Sequence, residues 1–486
     1  MIKWGISGNS HDAAIAVFDG SLLLFASQSE RFSRKKNDPD LSQYMINYII
    51  TKWGKPKEVF WYENPYFKTL RQLFARQGFN YKKNNIKQYL SNYGIHAPIT
   101  YVDHHLSHAA AAYYTAPFDD TAVLVIDSIG EFTTTSIWKG KDGDLKRVWR
   151  KNYPDSLGLF YSAMTQRIGL SPQEDEYILM GMAAYGNKDK LEDSIKSDFF
   201  HNDKLRVNLH RGCIGWRPEL NGIQDIFDIA AATQSIYEHE FVNLLNKAKE
   251  LTGSKKIALA GGCALNCVSN VKAWDIYDDV WIFPNPGDAG SSVGAVLANT
   301  KKKIKWKDCY LGYNINGEYP VKAVLKDLLT GVPVGVANGR AEFGPRALGN
   351  RSLLADPRSE KIKVSVNDIK RRQQFRPFAP AVLEEFADDY FDLSFNTSRF
   401  MQYAVACKEP GLLPAVVHAD GTSRVQTVPP SNAGFRLLLE EWYEATGCPV
   451  LLNTSLNIKG QPIANDSRDA SAFSMFYNVP VHCYQK

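Results

Sequence analysis

Three histidines fall within five residues at His104, His105 and His108, in the stretch DHHLSHAAAAYYTAPFDDTAVLVIDS from Asp103 to Ser128. His104 and His108 are four apart, which on a helix puts both rings on one face about one turn apart; His105 points elsewhere. Two imidazoles so placed can hold a divalent cation if further ligands arrive from other parts of the chain. Asp127, at the end of the apolar run TAVLVIDS, is a plausible third donor, because a carboxylate there is costly to bury without a cation. The same spacing also suits two partly buried, hydrogen-bonded histidines at the start of a helix, and spacing alone leaves both open. Cys263 and Cys267 are four apart, but no second pair completes a thiolate zinc site.

A second group of residues has the chemistry of anion binding. Between Gly339 and Arg376 lie seven Arg, three Lys and four acids, a surplus of six positive charges in a chain whose net charge is +5. A nucleic-acid surface would spread its basic character more widely. One Arg-rich segment reads as a pocket for a small anion, or as a solvated basic face. Two strand–glycine turn–helix units, ALAGGCALN and PNPGDAGSS, add helix N-termini whose N–H groups suit phosphate. Such turns are common in α/β proteins, so each signal is weak.

These residues need elements to hold them. AAIAVFDG and SLLLFASQ read as a hairpin turning at Asp19-Gly20, and TTTSIWKGKDGDLKRVWR as another turning at Asp142-Gly143. Helices are expected over Leu41–Trp53, over the basic, aromatic stretch from Tyr66 to Leu90, and over Ile229–Leu251, stopped by Gly253. TAVLVIDS and KIALAGG read as buried strands. VWIFPNPGDAGSSVGAVLANT reads as a strand, a loop and a helix. The lysine cluster KKKIKWK and the stretch to Pro320 look like a linker, giving domains at 1–305 and 320–486, with PVGVANG opening the second α/β unit.

The chain has 486 residues, 44% hydrophobic and 22% charged, the composition of a globular protein of two or three domains. No apolar run approaches the ~20 residues of a membrane span, and the N-terminus does not read as a signal peptide. Seven scattered cysteines do not form a disulfide framework. The expectation is a cytoplasmic protein with reduced cysteines and no membrane partner.

The stretch DHHLSHAAAAYYTAPFDDTAVLVIDSIGE resembles the signature of the O-carbamoyltransferases of nodulation-factor and antibiotic biosynthesis. GISGNSHDAAIAVFDG, SERFSRKKND, GLFYSAMTQRIGL, MGMAAYG, AGGCALNCVSN and NPGDAGSSVGA follow in the family's order. GRAEFGPRALGNRSLLADPR, FRPFAPAV, HADGTSRVQTV and PVLLNTSLNIKGQPI continue it, so that the resemblance covers nearly the whole chain. It implies an N-terminal domain of the actin-like ATPase fold, related to the protein that makes threonylcarbamoyl-adenosine on transfer RNA, and a C-terminal α/β domain similar to the YrdC fold.

The resemblance also implies chemistry. The C-terminal domain would take ATP and carbamoyl phosphate to a carbamoyl-adenylate. The N-terminal domain would pass the carbamoyl group to a hydroxyl of an acceptor. A metal, usually iron(II), would sit among His104, His108, Asp127 and Asp288; manganese and zinc suit the same donors. His11, in GNSHDAA, would accept the hydroxyl proton. Gly261, Gly262 and Asn266 would hold the adenylate in the first domain. Lys370, Arg376, Arg346 and Arg424 would supply cationic donors to the phosphates, with His418, Asn453 and Ser455 as hydrogen-bonding partners. Arg340 and Arg351 suit structural ion pairs equally well.

The chain departs from the family pattern at Ile178, where a lysine is usual, and at Ser29, where an acid is common; it is also shorter than many relatives. The loss of the lysine puts the details of adenylate binding in doubt, and would fit a protein whose transfer half is degraded. Three further readings remain. One is carbamoylation of a nucleotide or nucleic-acid hydroxyl, to which the basic, aromatic stretch KTLRQLFARQGFNYKKNNIK would contribute, although the same stretch reads better as a solvated helix face. Another is a non-catalytic ATP-binding switch, against which the full metal and anion sets argue. A protease is disfavoured because no activated nucleophile is visible. The acceptor and the oligomeric state are not legible in the sequence.

Overall fold

The computed structural model describes residues 1–201, 204–205, 212–393, 395 and 397–484. β1 (Ile2–Ser7), β2 (Ala14–Asp19) and β3 (Leu22–Gln28) form an antiparallel meander; β4 (Glu58–Trp61) and β5 (Ile99–Tyr101) add in parallel on the far side of β1. The strand order is β3-β2-β1-β4-β5. A second sheet repeats this connectivity. β6 (Thr121–Gly130), β7 (Thr133–Lys141) and β8 (Asp144–Asn152) make the meander, and strands Lys256–Ala260 and Asp279–Ile282 follow in parallel beside β6. Two sheets of one topology in one chain are the duplicated architecture of the actin-like ATPase fold, as expected.

The two turns of the meanders differ instructively. Lys141 pairs with Asp144, so Asp142-Gly143 is the two-residue loop, with φ of 52° and 81°. That is the double positive φ a type I′ turn requires. In the first meander Asp19 pairs with Leu22, so the loop is Gly20-Ser21, one residue later than the sequence predicts. Gly20 takes the positive φ, 60°, and Asp19 remains in the ladder.

Each sheet's fifth strand leads to a helix: His104–Thr115 after the first sheet and Ser291–Thr300 after the second. The two pack with their backbones in close approach. A Cβ on Gly294 would stand 1.7 Å from the Ser107 carbonyl oxygen, and one on Gly5 would stand 1.8 Å from that of Ser292. Gly294→Ala therefore forces the helices apart and is expected to cost at least ~1–3 kcal/mol, the usual range for overpacking. Thermal unfolding of the variant measures it; an unchanged midpoint would mean the backbone yields without strain.

Three expectations need correction. The stretch from Tyr66 to Leu90 is not one helix but two, Pro65–Phe74 and Ile86–Ser91. Arg76 and Gly78, at φ of 58° and 90°, leave the right-handed region between them. The long helix starts earlier than expected and runs Ile223–Thr252, ending on left-handed Gly253. The stretch expected as a linker contains a strand, Tyr310–Ile315, paired with Gly339–Glu342. Its Gly312 and Asn314 disguise it as turn. The second α/β unit thus begins before PVGVANG.

By internal contacts the chain divides into Met1–Ser29 with Asn37–Lys307, and Glu30–Lys36 with Asp308–Lys486. The second unit is built on a six-stranded mixed sheet in the order Gln426–Val428, Ala379–Leu383, Val450–Ser455, Arg351–Ala355, Val334–Ala337 and Val481–His482. Leu438, Leu439 and Trp442 of the Ala433–Thr446 helix pack on one face of it with Val321, Val324 and Leu328. The short Glu30–Lys36 segment is tied into this unit by its arginines. Arg31 Nη2 donates to the Gly344 carbonyl at 2.7 Å; Arg34 donates to those of Ile463 and Pro462 at 2.8 and 2.9 Å and pairs with Asp469 at 3.3 Å.

Candidate functional site

Asp103 caps the His104–Thr115 helix through its side chain, which accepts from the Leu106 amide at 2.9 Å. That cap starts the helix at His104, so His104 and His108 share a face of its first turns. Asp127 reaches the same point from β6, and Asp288 from the turn Asp288–Gly290 that precedes the Ser291–Thr300 helix. His104 Nε2 lies 3.2 Å from Asp127 Oδ2, 3.5 Å from Asp288 Oδ1 and 3.1 Å from His108 Nε2. His108 Nε2 is 3.3 Å from Asp288 Oδ1. All four donor atoms fall within 4.8 Å of one another, and three of the four residues are buried.

This donor set fits a divalent cation. Donors about 2.1 Å from a shared ion stand about 3.0–3.4 Å apart as neighbours in tetrahedral or octahedral geometry, close to the observed spacings. Two carboxylates with two neutral imidazoles balance a double positive charge. Without one, the carboxylates favour a proton on His104. Burial opposes charge on His104, but Asp288 and Asp127 outweigh it and push its pKa up to about 10. Burial likewise opposes charge on Asp127, yet the histidines hold its carboxyl well below the usual range. His105 stands apart, as expected: its Nδ1 is 2.8 Å from Ser136 Oγ, and burial keeps the ring neutral.

His11 sits in the loop between β1 and β2, where Asn9 and Asp12 take φ of 59° and 48°. Its Nδ1 pairs with Asp12 Oδ2 at 3.0 Å and its Nε2 lies 3.2 Å from the Gln173 carbonyl oxygen. Burial disfavours its charge, but Asp12 and the field of Asp288 prevail and raise its pKa to about 9. A cation held by Asp288 would remove part of that push and return His11 towards the range of a base.

Gly261 follows its strand at φ 87°, where a Cβ would lie 2.2 Å from the Ile126 carbonyl oxygen; only glycine fits there. The Gly262 amide donates to Asp127 Oδ1 at 3.3 Å, so this turn orients a member of the cluster. Asn266 is 9% exposed and its amide is engaged: Nδ2 donates to Gln234 Oε1 at 3.0 Å, and Oδ1 accepts from the Ser269 amide at 3.1 Å. Ile178 is buried in the Glu176–Met182 helix.

In the second unit, Lys370 ends the Glu360–Ile369 helix. Its Nζ donates to the Ser455 carbonyl at 2.6 Å, the Asn457 carbonyl at 3.2 Å and Asn457 Oδ1 at 2.5 Å. Burial drives its pKa well down, helped by the charges of Arg372 and Arg376. Ser455 Oγ donates to Asn457 Oδ1 at 2.7 Å, so Lys370, Ser455 and Asn457 form one polar knot. Asn453 Nδ2 donates to Gln426 Oε1 at 2.7 Å and to the Ala347 carbonyl at 3.1 Å. Arg346 is the chain neighbour of Ala347, and Arg424 lies two residues before Gln426. His418 is half-buried just before the Thr422–Arg424 strand, its amide donating to the Thr422 carbonyl at 2.8 Å. Arg351 is fully buried and donates to five carbonyls, among them Asn338 at 2.7 Å and Tyr313 at 3.1 Å; Arg340 also bonds carbonyls. Both serve the backbone.

Sequence reasoning missed three parts of the site. Lys68 Nζ meets Glu63 Oε1 at 2.5 Å and donates to the Asn9 carbonyl at 3.1 Å, which fixes the loop bearing His11. No spacing rule flags a pair five residues apart. Glu131 Oε1 accepts from the Asn64 amide at 2.5 Å, and burial, with Asp103 nearby, raises its pKa to about 7. Asn457 stands in NTSLN, beside the residues that the motif singles out, and the motif itself is the signal that could have found it.

A family model described as the carbamoyltransferase N-terminus matches residues 59–297, and one described as the carbamoyltransferase C-terminus matches residues 325–484. The nodulation protein NolNO of Sinorhizobium fredii is 31% identical over 95% of this chain and 76% of its own. The chain belongs to the carbamoyltransferase family. An uncharacterised protein of Synechocystis is 33% identical over 96% of this chain and 93% of its own, and the nodulation protein NolO of Bradyrhizobium diazoefficiens is 31% identical over 76% and 75%. Among solved structures, a ROK hexokinase from Thermus thermophilus is 14% identical with a TM-score of 0.32, covering 61% of this chain and 98% of that one. The fold assignment for this carbamoyltransferase rests on the strand order instead. None of its described helices is long and apolar enough to cross a membrane.

Proposed function

We propose that this carbamoyltransferase is ATP-dependent: a YrdC-like second unit hydrolyses carbamoyl phosphate to carbamate with loss of phosphate and joins the carbamate to ATP with loss of pyrophosphate, and the first unit transfers the carbamoyl group of the resulting carbamoyl-adenylate to a hydroxyl with release of AMP. The observation that carries the reading is the convergence of His104, His108, Asp127 and Asp288 in the unit that also holds His11. A cation there, iron(II) by family resemblance, would supply Lewis-acid polarisation and positioning of a phosphate or carbamoyl oxygen. His11, oriented by Asp12 through Nδ1, takes the acceptor's proton at Nε2 once the Gln173 carbonyl gives way. The Gly261–Gly262 turn lets backbone approach the adenylate phosphate. In the second unit, Arg346, Arg376 and Arg424 bind phosphate, with His418 as a further donor. Asn453 and the Lys370–Ser455–Asn457 knot recognise the carbamoyl end.

Mass spectrometry of reactions containing ATP, carbamoyl phosphate and a panel of hydroxylated acceptors tests the reading. A product heavier by one carbamoyl group is expected, and its absence across sugar, nucleoside and polyketide hydroxyls would count against transfer to oxygen. Arg424→Ala is expected to weaken carbamoyl phosphate binding by ~2–5 kcal/mol, the usual cost of removing one partner of a desolvated charge pair. Calorimetric titration reads this directly, and unchanged affinity would assign Arg424 to structure or solvent.

A further inference from the structure

The Pro65–Phe74 helix is inside out. Its buried face is polar: Lys68 pairs with Glu63, Arg71 Nε donates to the Glu131 carbonyl at 3.1 Å, and Thr69 is buried with them. Its outer face is apolar, with Tyr66, Phe67, Leu70, Leu73 and Phe74 each between 52% and 65% exposed. Just beyond it, Phe79 and Tyr81 stack on one another at 6.1 Å, 68% and 51% exposed. Leaving so many large apolar side chains in water on one short segment forfeits burial that folding elsewhere obtains. Arg76, Lys82, Lys83 and Lys87 lie exposed along the same stretch. From Asn64 to Val102 the chain has six Lys or Arg and neither Asp nor Glu.

We propose that this segment docks the protein on an anionic membrane surface, lying in the interface without spanning it. Exposed leucines with aromatic rings, flanked by lysine and arginine, are the composition that buries its apolar side among acyl chains while cations meet lipid phosphates. A second copy fits poorly, because a twofold contact through this acid-free stretch sets like charges against each other. Polynucleotide fits the basic residues and the rings, but Leu70 and Leu73 have nothing to stack on a base. The polar face of the helix abuts Glu131 and fixes the loop of His11, so docking would bring the candidate site close to the bilayer. The proposal goes beyond carbamoyl transfer and does not depend on it. It also departs from the sequence-based expectation of no membrane partner, which considered spanning segments only.

Cosedimentation of the full chain with vesicles tests it. Mixed phosphatidylglycerol and phosphatidylcholine vesicles should pellet the protein, pure phosphatidylcholine vesicles should not, and added salt should weaken the binding. Lys82→Glu with Lys83→Glu should lower the affinity roughly thirtyfold or more, since each basic residue near such a surface contributes about fivefold. Phe67→Asp with Leu70→Asp should lower it by at least about tenfold. All four side chains are exposed, so thermal unfolding should be unchanged and shows that the variants fold. The proposal is overturned if wild-type protein ignores both vesicles or binds both equally. It is also overturned if sedimentation velocity finds a dimer that the Phe67/Leu70 variant splits, or if a homopolymeric RNA is bound through Lys82 and Lys83 while vesicles are not.

Discussion

His11→Asn should abolish carbamoyl transfer, lowering its rate by ~10²–10⁴, while pyrophosphate release from ATP and carbamoyl phosphate continues. Asparagine keeps a polar side chain in the β1–β2 loop but has no Nε2 to accept a proton. Lys370→Ala should fail in the opposite way. It removes the buried amino group that ties the Ser455 and Asn457 carbonyls together, so pyrophosphate release should stop and transfer with it. Preformed carbamoyl-adenylate should rescue the Lys370 variant and leave the His11 variant inactive. A His11 variant that released no pyrophosphate would replace the two-site scheme with one composite site. The pH profile gives a second readout. A base must be neutral to act, so wild-type transfer should rise with pH through a midpoint between the ordinary 6.5 and the pKa of about 9 set by Asp12 and Asp288, and level off above it. Cation binding at Asp288 should move that midpoint down.

The other large effect concerns the metal. Purified protein should carry about one divalent ion per chain, and His108→Ala should lose it. The loss leaves three donors, one a carboxylate shared with His104, and a remaining cluster short of the four a closed site uses. Metal analysis of the variant at full occupancy would remove His108 from the ligand set. Chelation of the wild-type protein should abolish transfer and be reversed by readding ion, whereas His108→Ala should need far higher metal for the same recovery.

His104 and His108 are legible in the sequence because helical spacing is a local property, and Asp103 supplies the cap that makes the helix start where the spacing needs it. Asp127 is legible because a carboxylate closing an apolar strand demands a partner. Asp288 is not derivable from its surroundings. Its approach depends on two helices whose backbones meet at Gly294 and Ser107, a contact between segments far apart in sequence, and only the family resemblance points to it. The Asp142-Gly143 turn lies where the dipeptide predicts, but the Gly20 turn is displaced by one residue, because the two-residue loop is set by the pairing of Asp19 with Leu22 rather than by the dipeptide. Asn266 has the right residue type for a phosphate contact, yet its amide is taken up by Gln234 and Ser269, a side-chain network that no local pattern reports. The buried Lys68–Glu63 pair escapes for the same reason.

The arginines of Glu30–Lys36 bear on how the chain is made. The second unit includes seven residues from near the start of the chain, and the 271 residues of 37–307 intervene before the rest of it. At about 5–20 residues per second, a ribosome takes roughly 15–50 s to supply them. During that interval Arg31 and Arg34 have none of their carbonyl partners at Gly344, Pro462 and Ile463. The first unit must therefore mature around an open segment, and the second cannot close until Ile463 has been made. A C-terminal fragment from Asp308 lacks that segment, so it should be more readily proteolysed than the same residues in the whole chain, and a synthetic peptide of residues 30–36 should protect it.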